Sequence, residues 1–126
     1  MVIVTFEEQI TAAIGAHGSW KGKLRSAIDS GTYELSSSVI RDDHRCNFGK
    51  WLHDPNLSPA ARTSKYFGNC VELHRRFHAA AADVVSLVEA GDRQNATKAM
   101  NTQGAFGKIS SELTAEMMAW KVSLRQ

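Results

Sequence analysis

Neither sign of charge dominates this sequence: fifteen Lys and Arg stand against thirteen Asp and Glu over 126 residues. Such a balance offers no strong field for nucleic acid or an anionic membrane surface, so no nucleic-acid partner is expected. Long apolar runs are also missing. The few apolar residues of the opening MVIVTFEEQI give way at once to Glu7 and Glu8, far short of the apolar region of a secretory signal. No other run approaches the ~20 residues that a membrane-spanning helix needs. These absences predict a cytoplasmic chain with no direct membrane insertion. Cysteine is scarce. Cys46 and Cys70 could pair in principle, but two thiols without a secretion signal fit metal binding, redox chemistry or plain packing better than a disulfide. The two-residue alternation of a strand, a repeat of fixed period and low-complexity stretches are all lacking.

What the sequence does have is helical period. A chain of this length buries about two thirds of its unfolded surface and supports a single domain over residues 1–126. From about Thr5 to Asp29, Phe6, Ile10, Ala13, Ile14, His17, Trp20, Leu24 and Ile28 recur at steps of three and four, which predicts one amphipathic helix. The stretch SGTYELSSS breaks that period as a polar connector. After it, DDHRCNFGKWLHDP has room for a short helix or tight turns before Pro55, with Asp42 or Asp43 as the N-cap acceptor. Ser58 and Pro59 suit the start of a third helix, whose stripe runs through Phe67, Cys70, His74, Phe77, His78, Ala81, Val84, Val85 and Val88 to Gly91, about thirty residues in all. A final stripe runs through Ala96, Met100, Gln103, Phe106, Ser110, Leu113, Met117, Trp120 and Leu124. Its Gly104 and Gly107 lower helix propensity but let another helix approach closely. Three long helices and a short one, with short connectors, predict an antiparallel all-α bundle.

Polar chemistry falls on the inward stripes at three places. His17 sits between Ile14 and Trp20, and His74 and His78 share a face of the third helix. Burying imidazoles costs free energy unless each finds a partner. Side chains at i and i+4 lie about 6 Å apart along the axis, close enough to reach one metal ion. An HxxxH pair is ambiguous by itself. Arg75 stands where a zinc hydrolase would carry its glutamate, which tells against hydrolysis. Convergence tells for a metal: His17 could face the pair from another helix, and Cys46 could close the set. Three imidazoles and one thiolate make a tetrahedral shell that suits Zn2+ and leaves no position for a substrate water, so a sensory or structural ion is expected and no catalytic residue.

The segments HGSWK at 17–21, CNFGKWL at 46–52 and HRRFH at 74–78 resemble, in order, the three motifs of the bacterial chemoreceptor zinc-binding (CZB) domain. The resemblance implies a four-helix bundle, with a short additional helix carrying the cysteine, in which His17, Cys46, His74 and His78 hold one zinc ion. It further implies a cytoplasmic homodimer attached to chemoreceptor or diguanylate cyclase signalling domains, in cis or in trans. Zinc availability, or oxidation of the cysteine by an oxidant such as hypochlorous acid, would then set chemotaxis or cyclic-di-GMP output. The chain is read either as a separate protein or as a piece of a longer one.

Other residues carry blander readings. Trp20, Trp51 and Trp120 are expected in the core or an interface, with Trp51 locking the cysteine segment against the bundle. Cys70 reads as a small buried thiol rather than a competing ligand. His44 is expected to face solvent, with a role beside Cys46 as the alternative, and His53 to lie on the surface. Gln103 and Ser110 could each hydrogen-bond a ligating imidazole or simply bond between helices. Two rival functions remain: a metalloenzyme or di-iron bundle, disfavoured because the carboxylates lie mostly off the stripes, and a dimerisation bundle with a structural zinc.

Overall fold

Helical period in the sequence becomes helix in space. The computed structural model describes residues 6–57 and 59–124, which form eight helices and no strand. The first stripe makes α1 (Phe6–Gly18) and α2 (Trp20–Ser30) rather than one continuous helix. The division falls at Ser19, which keeps helical dihedrals (φ −68°, ψ −17°) and its backbone bonds to Gly15 O and from Lys23 N, while its hydroxyl donates to the Ala16 carbonyl at 2.7 Å. Helix α2 stops at Gly31, which takes a left-handed φ of 80° and donates its N–H to Ala27 O, a conformation that glycine adopts without strain.

The connector that follows contains a helix of its own, α3 (Ser37–Arg41), capped by Ser36 Oγ accepting from the Val39 amide. Next comes α4 (Asn47–Leu52), the expected short helix, with a different cap. Cys46 is its N-cap, and its sulfur accepts from the Gly49 amide at 3.3 Å. Asp42, expected as a cap, instead accepts from the His44 amide at 3.0 Å and pairs with Arg45. Ser58 lies outside the described residues. The single turn α5 (Pro59–Arg62) is separate from α6 (Lys65–Glu89), which is 25 residues long rather than thirty and is capped by Ser64. The last stripe likewise divides, into α7 (Arg93–Met100) and α8 (Ala105–Ser123). A methyl at Gly104 or Gly107 would overlap carbonyl oxygens at the end of α7, so these glycines permit a close approach, made by the chain turning out of the preceding helix.

Helix α6 is the axis of the fold, packing against α8, α3, α7, α2 and α4. Phe77, Val84, Val85, Leu113, Met117 and Trp120 are fully buried around it, each side chain contributing about 1.5–3 kcal/mol by leaving water. An aromatic cluster holds α4 in place: the Trp51 ring lies 5.0 Å from Phe6 of α1 and 5.7 Å from Trp120 of α8. Trp51 thus anchors the cysteine segment as expected. Gln103 sits exposed in the turn before α8, off the inward stripe and away from any imidazole.

Candidate metal centre

The four expected ligands reach the centre from three helices. His17 closes the last turn of α1, Cys46 caps α4, and His74 and His78 project from successive turns of α6. The three imidazoles are 3 % exposed or less. Their Nε2 atoms point at one sulfur: Cys46 Sγ lies 3.2 Å from His74, 3.6 Å from His78 and 4.0 Å from His17. A tetrahedral zinc with bonds of about 2.3 Å to sulfur and 2.0 Å to nitrogen puts sulfur about 3.6 Å from each nitrogen. The observed separations straddle that value, so the donor set fits the ion.

Hydrogen bonds on the far side of the rings fix the tautomers that ligation requires. His17 Nδ1–H donates to the Ala13 carbonyl at 2.7 Å, one turn back in α1. His78 Nδ1–H donates to the Ile40 carbonyl of α3 at 2.9 Å. In both rings the Nε2 lone pair is therefore left for a metal. Ile40 is a functional contact that sequence reasoning missed, although Ser36 three residues before Val39 is a capping signal that could have revealed α3. His74 differs: its buried Nδ1 has no hydrogen-bond partner, and the nearest charged group is the Asp43 carboxylate, Oδ2 at 3.9 Å. Phe48 and Phe77 wall the site, with ring centres 5.7 and 5.1 Å from His17.

Burial dominates the electrostatics. It lowers His17 to about 4 and His74 to about 2, and it lowers His78 as well, so all three rings are neutral at pH 7. Burial also raises the Cys46 thiol, against the pull of the Gly49 and Phe48 amides, so the free sulfur is protonated and a metal must displace that proton. In the unfolded chain a histidine titrates near 6.5. As pH falls below that value the unfolded state takes up protons first, so the metal-free chain holds its full stability above about pH 6.5 and loses it with acid, His17 alone contributing up to about 1.4 kcal/mol per pH unit down to about pH 4. Urea midpoints of metal-free protein measured across that range should fall steadily with acid; a flat profile would contradict the burial of these imidazoles.

The remaining candidates fall elsewhere. Cys70 is fully buried in α6 and raised to about 12 by burial, a packing thiol as expected. Arg75 lies on the surface, bonded to Glu72. His44 and His53 are exposed and stack on each other.

A sequence model described as the chemoreceptor zinc-binding domain matches residues 17–85, a span that contains all four converging side chains. No curated protein and no solved structure matches the chain. With the family model covering more than half of the 126 residues and the His3Cys cluster at its centre, the chain belongs to the chemoreceptor zinc-binding domain family.

Proposed function

We propose that this chain is a zinc-binding sensory or regulatory module, in which His17, Cys46, His74 and His78 hold one zinc ion. The observation that carries it is the convergence of three Nε2 atoms, two of them with tautomers fixed by hydrogen bonds, on the Cys46 sulfur within 4.0 Å. Four protein donors fill a tetrahedral shell and leave no place for a reacting water, which favours regulation over catalysis. When bound, zinc supplies the positive charge that keeps the sulfur a thiolate. The chain's own residues do the rest: Ala13 and Ile40 hold two rings in register, and the α4 amides steady the sulfur.

Access supports a redox role for that sulfur. Cys46 is half-buried between two clefts, one of about 390 Å³ lined by His17, Trp20, Lys23 and Phe48, the other of about 210 Å³ reaching Ile40 and His78. A small oxidant such as hypochlorous acid can reach the sulfur, which lines both clefts and is more exposed than the rings. Oxidation to sulfenic acid, with chloride leaving, weakens the metal bond and frees α4 to shift. Zinc availability is the second trigger, acting on the same helix by emptying the site.

The proposed setting is a cytoplasmic homodimer, an antiparallel four-helix bundle with α4 as the additional helix, coupled to a chemoreceptor or diguanylate cyclase signalling domain in cis or in trans. Met118 and Val122 support a partner-facing surface on α8, being 45 % and 50 % exposed one turn apart. Among the described residues no helix is long and apolar enough to cross a membrane.

Elemental analysis of protein purified without a histidine tag tests the centre. Wild type is expected to carry about one zinc per chain, and Cys46→Ser to lose most of it, since the sulfur is one of only four donors. Iron in place of zinc, or full zinc in the variant, would refute the assignment.

A further inference from the structure

Asp43 stands between two groups of metal-binding side chains. Its Oδ2 faces the unpartnered Nδ1 of His74 at 3.9 Å, and its Oδ1 lies 3.9 Å from Nε2 of His44 on the outside. His44 stacks on His53, ring centres 3.8 Å apart and planes within 10°. Ligand atoms of Asp43, His44 and His53 all lie within 4.8 Å of one another.

Local structure builds this group. Asp42 accepts from the His44 amide and turns the chain just after α3. Gly49, having no side chain, lets α4 lie directly against the Asp43 carbonyl. The C-cap of α4, His53, is thereby carried over His44. Neither imidazole is locked by burial, so both rings can turn their lone pairs onto one ion beside the Asp43 carboxylate, whose side chain is 15 % exposed.

Two imidazoles and a carboxylate form a nitrogen and oxygen donor set suited to zinc and its late first-row neighbours. Three protein donors at the surface leave positions for water and hold the ion less tightly than four buried ones. The shared carboxylate makes this more than a surface cluster, because its other oxygen faces a fully buried ring of the inner centre whose Nδ1 has no hydrogen-bond partner. Resting on the inner centre proposed above, the geometry points to a second, weaker zinc site at Asp43, His44 and His53, which captures the ion from solvent and delivers it to His17, Cys46, His74 and His78. Delivery is a ligand exchange in which the Cys46 thiol gives its proton to solvent as the inner donors replace the outer ones.

Cobalt(II) tests this directly, because its thiolate charge-transfer absorption appears only when the ion reaches Cys46. Stopped-flow mixing of metal-free protein with cobalt should show the band growing about tenfold more slowly in the His44→Ala/His53→Ala variant, the scale on which local capture raises on-rates. Its final amplitude should match wild type. Zinc titration should find a second, weaker ion in wild type that is absent from the variant. His53→Gln, which keeps a polar side chain at an exposed position, should show the same slowing and guards against a folding effect. Equal loading rates, or a zinc titration that saturates at one ion per wild-type chain, would overturn delivery through this site. Absence of the cobalt–thiolate band from wild type itself would instead overturn the inner centre, and delivery with it.

Discussion

Stripping zinc with a chelator should lower the unfolding free energy by several kcal/mol, about 4 kcal/mol where free zinc stands a thousandfold above its dissociation constant. The centre occupies core volume that apolar side chains would otherwise fill, and its groups are poor core material without an ion. Without the ion the Nε2 atoms of three buried rings share a single protonated thiol, and a buried polar group left without a hydrogen bond costs on the order of 1–3 kcal/mol. The thiol of Cys46 is raised by burial and makes one close contact with the rings, to His74 at 3.2 Å, and two longer ones. The loss should be local at first. Helix α4 has six residues, too few to persist unaided, and Cys46 is one of its attachments beside Trp51, the buried Phe48 and Leu52, and the docking of Gly49 on the Asp43 turn. The aromatic and aliphatic packing of α6 on α8 is independent of the ion, so most helix content should survive. Urea unfolding followed by circular dichroism, with zinc and with chelator, measures the difference. Cys46→Ser should show little zinc-dependent gain, and a wild-type curve indifferent to chelator would refute a structural contribution from the ion.

Much of this centre was legible in the sequence for one reason: an imidazole on an apolar stripe is conspicuous. His17, His74 and His78 each occupy a position where the three-and-four period demands a core residue, and each is buried. Cys46 carries no such mark. It lies outside the long stripes, and only its company, together with the family resemblance, singles it out. What escaped sequence reasoning was settled locally or by tertiary approach. Helix α3 is five residues long, too short to show a period, yet it supplies the carbonyl that orients His78. The first stripe divides into two helices at Ser19, a local feature that apolar spacing does not encode. Gln103 was placed on a stripe by counting through residues 101–104 as if they were helical; the turn there resets the register. The nearness of His53 to His44 depends on how α4 docks, which no local pattern reveals.

Replacing Gly49 with alanine should cost the chain both stability and metal. In an ordinary helix interior glycine to alanine gains up to about 1 kcal/mol through propensity, so the expected sign here is reversed. A Cβ at Gly49 would overlap the Asp43 carbonyl oxygen and come within 2.9 Å of its carbon and 3.2 Å of the His44 Cα. All three are backbone atoms that no rotamer change can move. Helix α4 must then lift away from the Asp43–His44 turn, and it carries Cys46 with it, because the Gly49 amide is the donor that caps the sulfur. Such overpacking costs about 1–3 kcal/mol, and displacing groups that orient the ligands costs about 10- to 100-fold in metal affinity. Gly22→Ala supplies the contrast, since a Cβ there in α2 meets nothing within 4 Å, and it should stabilise the fold with zinc affinity unchanged. Urea unfolding and chelator competition on the two variants separate propensity from packing. If Gly49→Ala were as stabilising as Gly22→Ala and kept its zinc, the close docking of α4 on the Asp43 turn would not be what positions the sulfur.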